Sequence, residues 1–116
     1  MTLEFGQITF DCGDATGLAG FWSQLLDTPV DDGATEFFAT VGRDAGRVPV
    51  LMFIKVPEAK STKNRVHVDL HATDWTDQVA RAVALGATHV SDFDEYGTTW
   101  ATLLDPEGNE FDIGAG

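Results

Sequence analysis

Polar and apolar positions alternate in two runs of closely similar design. In the first, Gln7, Thr9 and Asp11 share one side of an extended segment, with Ile8, Phe10 and Cys12 on the other. In the second, His67, Asp69 and His71 stand opposite Val66, Val68 and Leu70. Side chains alternate across a strand, so each run predicts a strand with one core face and one polar face. Asp14 or Thr16 after the first run, and Asp74 after the second, suit a helix N-cap. Leu18, Phe21, Trp22, Leu25 and Leu26 then recur at helical spacing, and Thr28-Pro29 ends that helix. Trp75, Val79, Ala82 and Val83 mark the second helix, which Gly86 closes as a left-handed cap.

Further strands are predicted over residues 36–41 and 48–56, then 87–90, 98–104 and 110–113. Asp31-Asp32-Gly33 and Asp105-Pro-Glu-Gly-Asn109 are turn signals, the second with proline presetting its backbone and glycine supplying positive φ. Asp92, Asp94 and Glu95 read as an acidic loop, and residues 57–64 as a polar connector. The order predicts an α+β fold of two tandem βαβββ modules, 1–57 and 64–116, within one domain spanning 1–116. Curved sheets, mixed or antiparallel, would form a cup with the helices outside and the two polar faces meeting in one cavity.

Charge narrows the possible partners. Nineteen acidic against seven basic residues leave a formal net charge of -12. That field repels nucleic-acid phosphates and anionic membranes and favours cationic ligands or metal ions, although solubility alone accounts for it equally well. A single cysteine, Cys12, excludes an internal disulfide, and its apolar neighbours in alternation predict a buried structural thiol. No leader-like segment opens the chain, and the longest apolar stretch, residues 50–54, is far too short to span a bilayer. The expected setting is cytoplasmic. No phosphate-binding glycine loop, nucleophile elbow or zinc-type cysteine pair is present.

Asp14 with Phe21-Trp-Ser-Gln-Leu-Leu26, then Lys63-Asn-Arg-Val-His-Val-Asp-Leu70, Gly86-Ala87 and above all Trp100-Ala-Thr-Leu-Leu-Asp-Pro-Glu-Gly-Asn-Glu-Phe111 make up a recognisable set. Together they resemble the vicinal oxygen chelate superfamily, in its glyoxalase-like branch of glyoxalase, bleomycin resistance and dioxygenase type. The resemblance implies paired modules forming a cup, often in a homodimer, around a small-molecule ligand. It also implies one divalent ion (Zn, Ni, Fe or Mn) held by residues on the first and last strands of the modules. Carried over by position, the metal ligands fall on Gln7, His67 and Asp112, with aspartate where glutamate is usual. The fourth position falls near Met52 or Val50, and neither replaces a carboxylate.

His67 and Asp112 are thus the candidate catalytic residues, His67 as ligand or as general base. Asp69, His71, Trp100, Thr9 and Asp11 are the candidate ligand-binding residues. A purely structural hydrogen-bond network through Asp69 and His71 stays open, as does a core role for Trp100. His89 reads as hydrogen-bonded filler and Trp22 as core. Two functions of different class follow. One is a metal-dependent lyase or isomerase acting on an oxygenated metabolite, with the ion as Lewis acid. The other is a metal-free protein that binds an antibiotic or another small ligand in an acidic, aromatic cleft. A third, a pure interaction domain, would fill its cup with its own side chains.

Overall fold

Each helix packs an apolar face on a small mixed sheet, although Val83 of the expected second stripe is exposed and Trp75 only half-buried. The computed structural model describes residues 2–116 of this arrangement. Two compact units result, one running to Ala59 and the other from Lys60 to Gly116.

The first unit contains β1 (Gln7–Cys12), α1 (Ala15–Leu26), β2 (Phe38–Val41) and β3 (Val50–Lys55). β3 lies centrally, parallel to β1 and antiparallel to β2. A parallel pair needs a long crossover, and the segment bearing α1 provides it. Leu18, Phe21, Trp22 and Leu25 are buried as their spacing predicts, and the fully buried Trp22 ring lies 5.4 Å from Phe10. Phe10 in turn stacks on Phe53 at 5.2 Å. Glycine at position 17 weakens the helix intrinsically, but it has a use there. A Cβ at Gly17 would approach Asp14 Oδ2 to 2.6 Å, so the absent side chain makes room for that carboxylate. The helix stops at Leu26 because Asp27 adopts left-handed geometry (φ 51°, ψ 49°), one residue before Thr28-Pro29. Where a third strand was expected after this helix, the described residues of the unit have only a bridge between Val30 and Val41.

The second unit contains β4 (Val68–His71), α2 (Trp75–Leu85), β5 (Thr88–Glu95), β6 (Thr98–Leu104) and β7 (Glu110–Gly114), in the sheet order β4-β7-β6-β5. β4 runs parallel to β7, and the other pairs are antiparallel. Leu103, Phe111 and Ile113 form its core with Val79 and Ala82 of α2, and Gly86 ends that helix at φ 125°. The predicted acidic loop is instead part of β5, which continues to Glu95. Cross-strand pairing with β6 overrides the poor strand propensity of Asp92 and Asp94, and a turn with positive φ at Tyr96 and Gly97 closes the hairpin. Asp105 organises its turn by accepting the backbone N–H groups of Glu107 and Asn109. The fold is mixed α+β, with two small sheets and two helices among the described residues.

Candidate functional site

Register in the second unit brings the chemistry together. Parallel pairing sets Asp69 of β4 opposite Asp112 of β7, and antiparallel pairing sets Thr102 of β6 on the other side of Asp112. His67 directly precedes β4, and alternation places it on the same face as Asp69. Its Nδ1 lies 2.9 Å from Asp69 Oδ1 and 3.2 Å from Asp112 Oδ2, so one ring nitrogen faces two carboxylates. The Thr102 hydroxyl donates to Asp112 Oδ1 at 2.6 Å. One potential ligand atom from each of His67, Asp69 and Asp112 lies within 4.8 Å of the others.

The two carboxylates sit in different surroundings. The Asp69 side chain is 70% exposed, whereas that of Asp112 is only 12% exposed. Burial pushes the Asp112 carboxyl above the usual carboxylate range. The Thr102 hydroxyl and His67 pull it down, the neighbouring Asp69 carboxyl pushes it up, and the net direction is upward.

A cavity of about 390 Å³ adjoins this cluster. His67, Asp69 and Asp112 line it together with His71, Trp100 and Gly114, and no lysine or arginine is among the lining residues. Trp100 stacks on Phe93 with ring centroids 5.2 Å apart and planes 18° from parallel. Gly114 sits opposite Trp100 across the β6–β7 pair, where an added Cβ would come within 2.8 Å of the Trp100 Cβ. A cavity of this size speaks against a cup filled by its own side chains.

The expected residues divide between the units. His67, Asp69, His71, Trp100 and Asp112 share the cavity of the second. Gln7, Thr9 and Asp11 form an exposed row along β1 of the first, with Ile8 and Phe10 half-buried and Cys12 buried on the other side. Register there pairs Gln7 with Val50 and Thr9 with Met52. Met52 therefore stands to β1 as Asp112 stands to β4, and its thioether suits hard cations poorly. Cys12 is a buried thiol near the Ile54 carbonyl, and Trp22 is core. His89 is surface-exposed and paired with Asp92 at 2.7 Å.

Thr102 and Glu110 escaped the sequence reading. Thr102 carries no signal beyond strand alternation, because its partner is set by register. Glu110 accepts the Asn64 backbone N–H at 2.8 Å and the Lys60 ammonium at 3.1 Å. Burial pushes its carboxyl up, but these donors and its own backbone N–H outweigh that and hold it below the usual range. The DPEGNE segment offered a turn signal and nothing about this contact.

The sequence profile described as a glyoxalase-like domain matches residues 7–114. No curated protein matches the chain by sequence. Among solved structures, a glyoxalase/bleomycin resistance protein/dioxygenase family enzyme from Burkholderia phytofirmans superposes with TM-score 0.80 at 18% identity, covering 97% of this chain and 98% of its own. A variant of the fosfomycin resistance protein of Listeria monocytogenes, complexed with Mn(II) and 1S,2S-dihydroxypropylphosphonic acid, superposes at 0.77 with 14% identity over 100% and 92%. The bleomycin-binding protein of Streptomyces verticillus, complexed with copper(II)-bleomycin, gives 0.67 at 18% identity over 100% and 99%. At such identities these likenesses carry the fold alone. With a profile match across nearly its whole length, this chain belongs to the glyoxalase-like domain family, within the vicinal oxygen chelate superfamily.

Proposed function

We propose that this protein is a cytoplasmic, divalent-metal-dependent lyase or isomerase acting on a small oxygenated metabolite. The observation that carries the reading is the His67–Asp69–Asp112 cluster, with ligand atoms within 4.8 Å of one another beside a cavity of about 390 Å³. One imidazole and two carboxylates suit borderline-to-hard ions such as Mn, Fe, Ni or Zn. Two carboxylates side by side, one of them buried, form a site that a cation would stabilise. His67 and Asp112 would hold the ion, and the family resemblance adds Gln7 as a third ligand.

When bound, such an ion supplies Lewis-acid polarisation of a substrate oxygen. The chain's own residues do the rest. Asp69 Oδ1, 2.9 Å from His67 Nδ1, can accept the ring N–H and so hold the imidazole in the tautomer and orientation its role requires. Trp100 and Leu70 wall the cavity and hold the apolar part of the ligand. The volume lies at the lower end for drug-sized ligands, which suits a metabolite or one portion of a larger molecule.

Metal analysis after mild purification, followed by titration with Mn(II), Ni(II) and Zn(II), tests this reading. The expectation is one ion per chain, with affinity lost in His67→Ala and weakened in Gln7→Ala. Wild-type protein that neither retains nor takes up any of the three would end the metal-dependent reading. Light scattering tests the homodimer expected for this family.

The Trp100–Phe93 stack favours a second reading, a metal-free binder of an antibiotic or other small ligand. In that case chelated protein would still bind ligand, and its tryptophan fluorescence would respond. Chelation that abolishes every response removes this alternative.

A further inference from the structure

We infer that Glu110 is a positioning residue for the site: its carboxylate sets where His67 stands relative to Asp112. The inference rests on the proposed role of the His67–Asp112 pair. It adds a residue that does not itself line the cavity.

His67 lies outside regular structure. β4 begins only at Val68, and residues 60–67 form neither helix nor strand. The β4–β7 ladder starts at Val68 opposite Phe111, so His67 falls one step beyond its first pair. A residue there has its direction set by the ladder on one side and by the preceding connector on the other. That connector is mostly exposed and carries no core side chain to anchor it. Exposed segments without buried apolar contacts open at low free-energy cost, so a few fixed points decide their path.

Glu110 supplies those fixed points. Its Oε2 accepts the backbone N–H of Asn64, three residues before His67, at 2.8 Å. Its Oε1 accepts from Lys60 Nζ at 3.1 Å, and the same ammonium donates to the Thr62 carbonyl. One side chain therefore holds two places along the connector. Glu110 is also the first residue of β7, two before Asp112. The carboxylate thus ties the segment that delivers His67 to the strand that carries Asp112. A hydrogen bond to a charged acceptor is stronger than a neutral one, and the Glu110 side chain is only 14% exposed, so competition from water is limited. Groups outside the ligands orient a ligating histidine, usually through its ring; here the hold acts through the connector backbone, three residues before His67.

The test reads His67 directly. With only three histidines in the chain, its imidazole nitrogens can be assigned by NMR through comparison with His67→Ala. The wild-type Nδ1 signal should carry the shift of a nitrogen hydrogen-bonded to carboxylate, and the Asn64 amide should be protected from exchange. In Glu110→Ala both should be lost while the remaining amide spectrum stays dispersed, and Mn(II) affinity should fall by about tenfold or more. Glu110→Gln keeps an acceptor oxygen for the Asn64 N–H and should restore most of the His67 signal. Lys60→Ala, which removes one of the two fixed points and spares the Asn64 bond, should move the signal less than Glu110→Ala does. A general loss of stability would not separate these variants in this way.

Should Glu110→Ala fail to fold, Glu110→Asp replaces it. That side chain is one methylene too short to reach Asn64 and should shift the His67 signal likewise. Unchanged His67 signals in folded Glu110→Ala or Glu110→Asp would overturn the inference. The two readings fail separately. Wild-type protein without metal affinity defeats the proposed function and leaves the His67 measurement valid. Normal metal binding with an unmoved His67 signal defeats only the role of Glu110.

Discussion

Asp112 bears a cost of burial that only its surroundings offset. Its carboxyl is raised, so the folded state binds a proton more tightly there than the unfolded chain does. The stability tied to that proton is complete below the unfolded value of 3.8 and is lost as pH rises through the folded value. Asp112→Asn, neutral at every pH, should therefore melt higher than wild type at pH 7 and lose that advantage toward pH 3. Single stabilising substitutions commonly gain about 0.5–2 kcal/mol, and the gain here should fall in that range. Thermal melts across pH, paired with Mn(II) titration, check both halves: higher Tm and weaker metal binding. Gly114 makes a second residue-scale prediction. Alanine there places a methyl 2.8 Å from the Trp100 Cβ and 2.9 Å from the Thr99 carbonyl oxygen, and strand backbone cannot yield cheaply. Gly114→Ala should cost about 1–3 kcal/mol in denaturant unfolding, and the displaced Trp100 should alter the fluorescence spectrum.

Among the elements, the loop between β2 and β3 shows how one buried side chain organises a turn. Asp31 accepts the Thr40 hydroxyl at 2.7 Å and the backbone N–H groups of Arg43 and Asp44, each at 2.9 Å. Burial pushes its carboxyl up, but Thr40, the two amides and the Arg43 charge together hold it below the ordinary value. A lowered carboxylate stabilises the fold above its unfolded pKa, and the contribution disappears as pH falls through the folded one. Asp31→Asn should lose about 1–3 kcal/mol at pH 7, with the gap to wild type closing in strong acid. Chemical denaturation at a series of pH values reads this directly, and a gap independent of pH would contradict the account.

At the scale of the whole molecule, the net charge of -12 dominates. Self-repulsion of that size weakens any compact state, and salt shortens its range from about 30 Å at 0.01 M to about 8 Å at 0.15 M. Tm should rise over that interval in NaCl. It should rise further with a divalent ion that occupies the site, because a ligand that binds only the folded state stabilises it by mass action. Equal effects of Mn(II) on wild type and His67→Ala would reduce the second rise to general screening. No helix among the described residues is long and apolar enough to cross a membrane.

Much of this protein was legible in one dimension, because strand and helix periodicities report local geometry. The two polar-faced strands, except for Val66, which lies before β4 and is exposed, the Leu18–Phe21–Trp22–Leu25 stripe, the Gly86 cap and the Asp105 turn could all be read before any fold was known. Each depends on residues only a few positions apart. The extension of β5 through Asp92 and Asp94 could not be read, since its cause is β6 and local propensity argued against it. The same holds for the site. Alternation put His67 and Asp69 on one polar face, but a parallel register, set by packing, decided that Asp69 faces Asp112. Thr102 as its hydroxyl donor, Gly114 beneath Trp100 and Glu110 on the Asn64 amide are likewise contacts between strands or between a strand and a connector. Sequence determines which groups a chain carries and how they alternate; distance, burial and shifted proton affinity arise only when separate segments pack and exclude water between them.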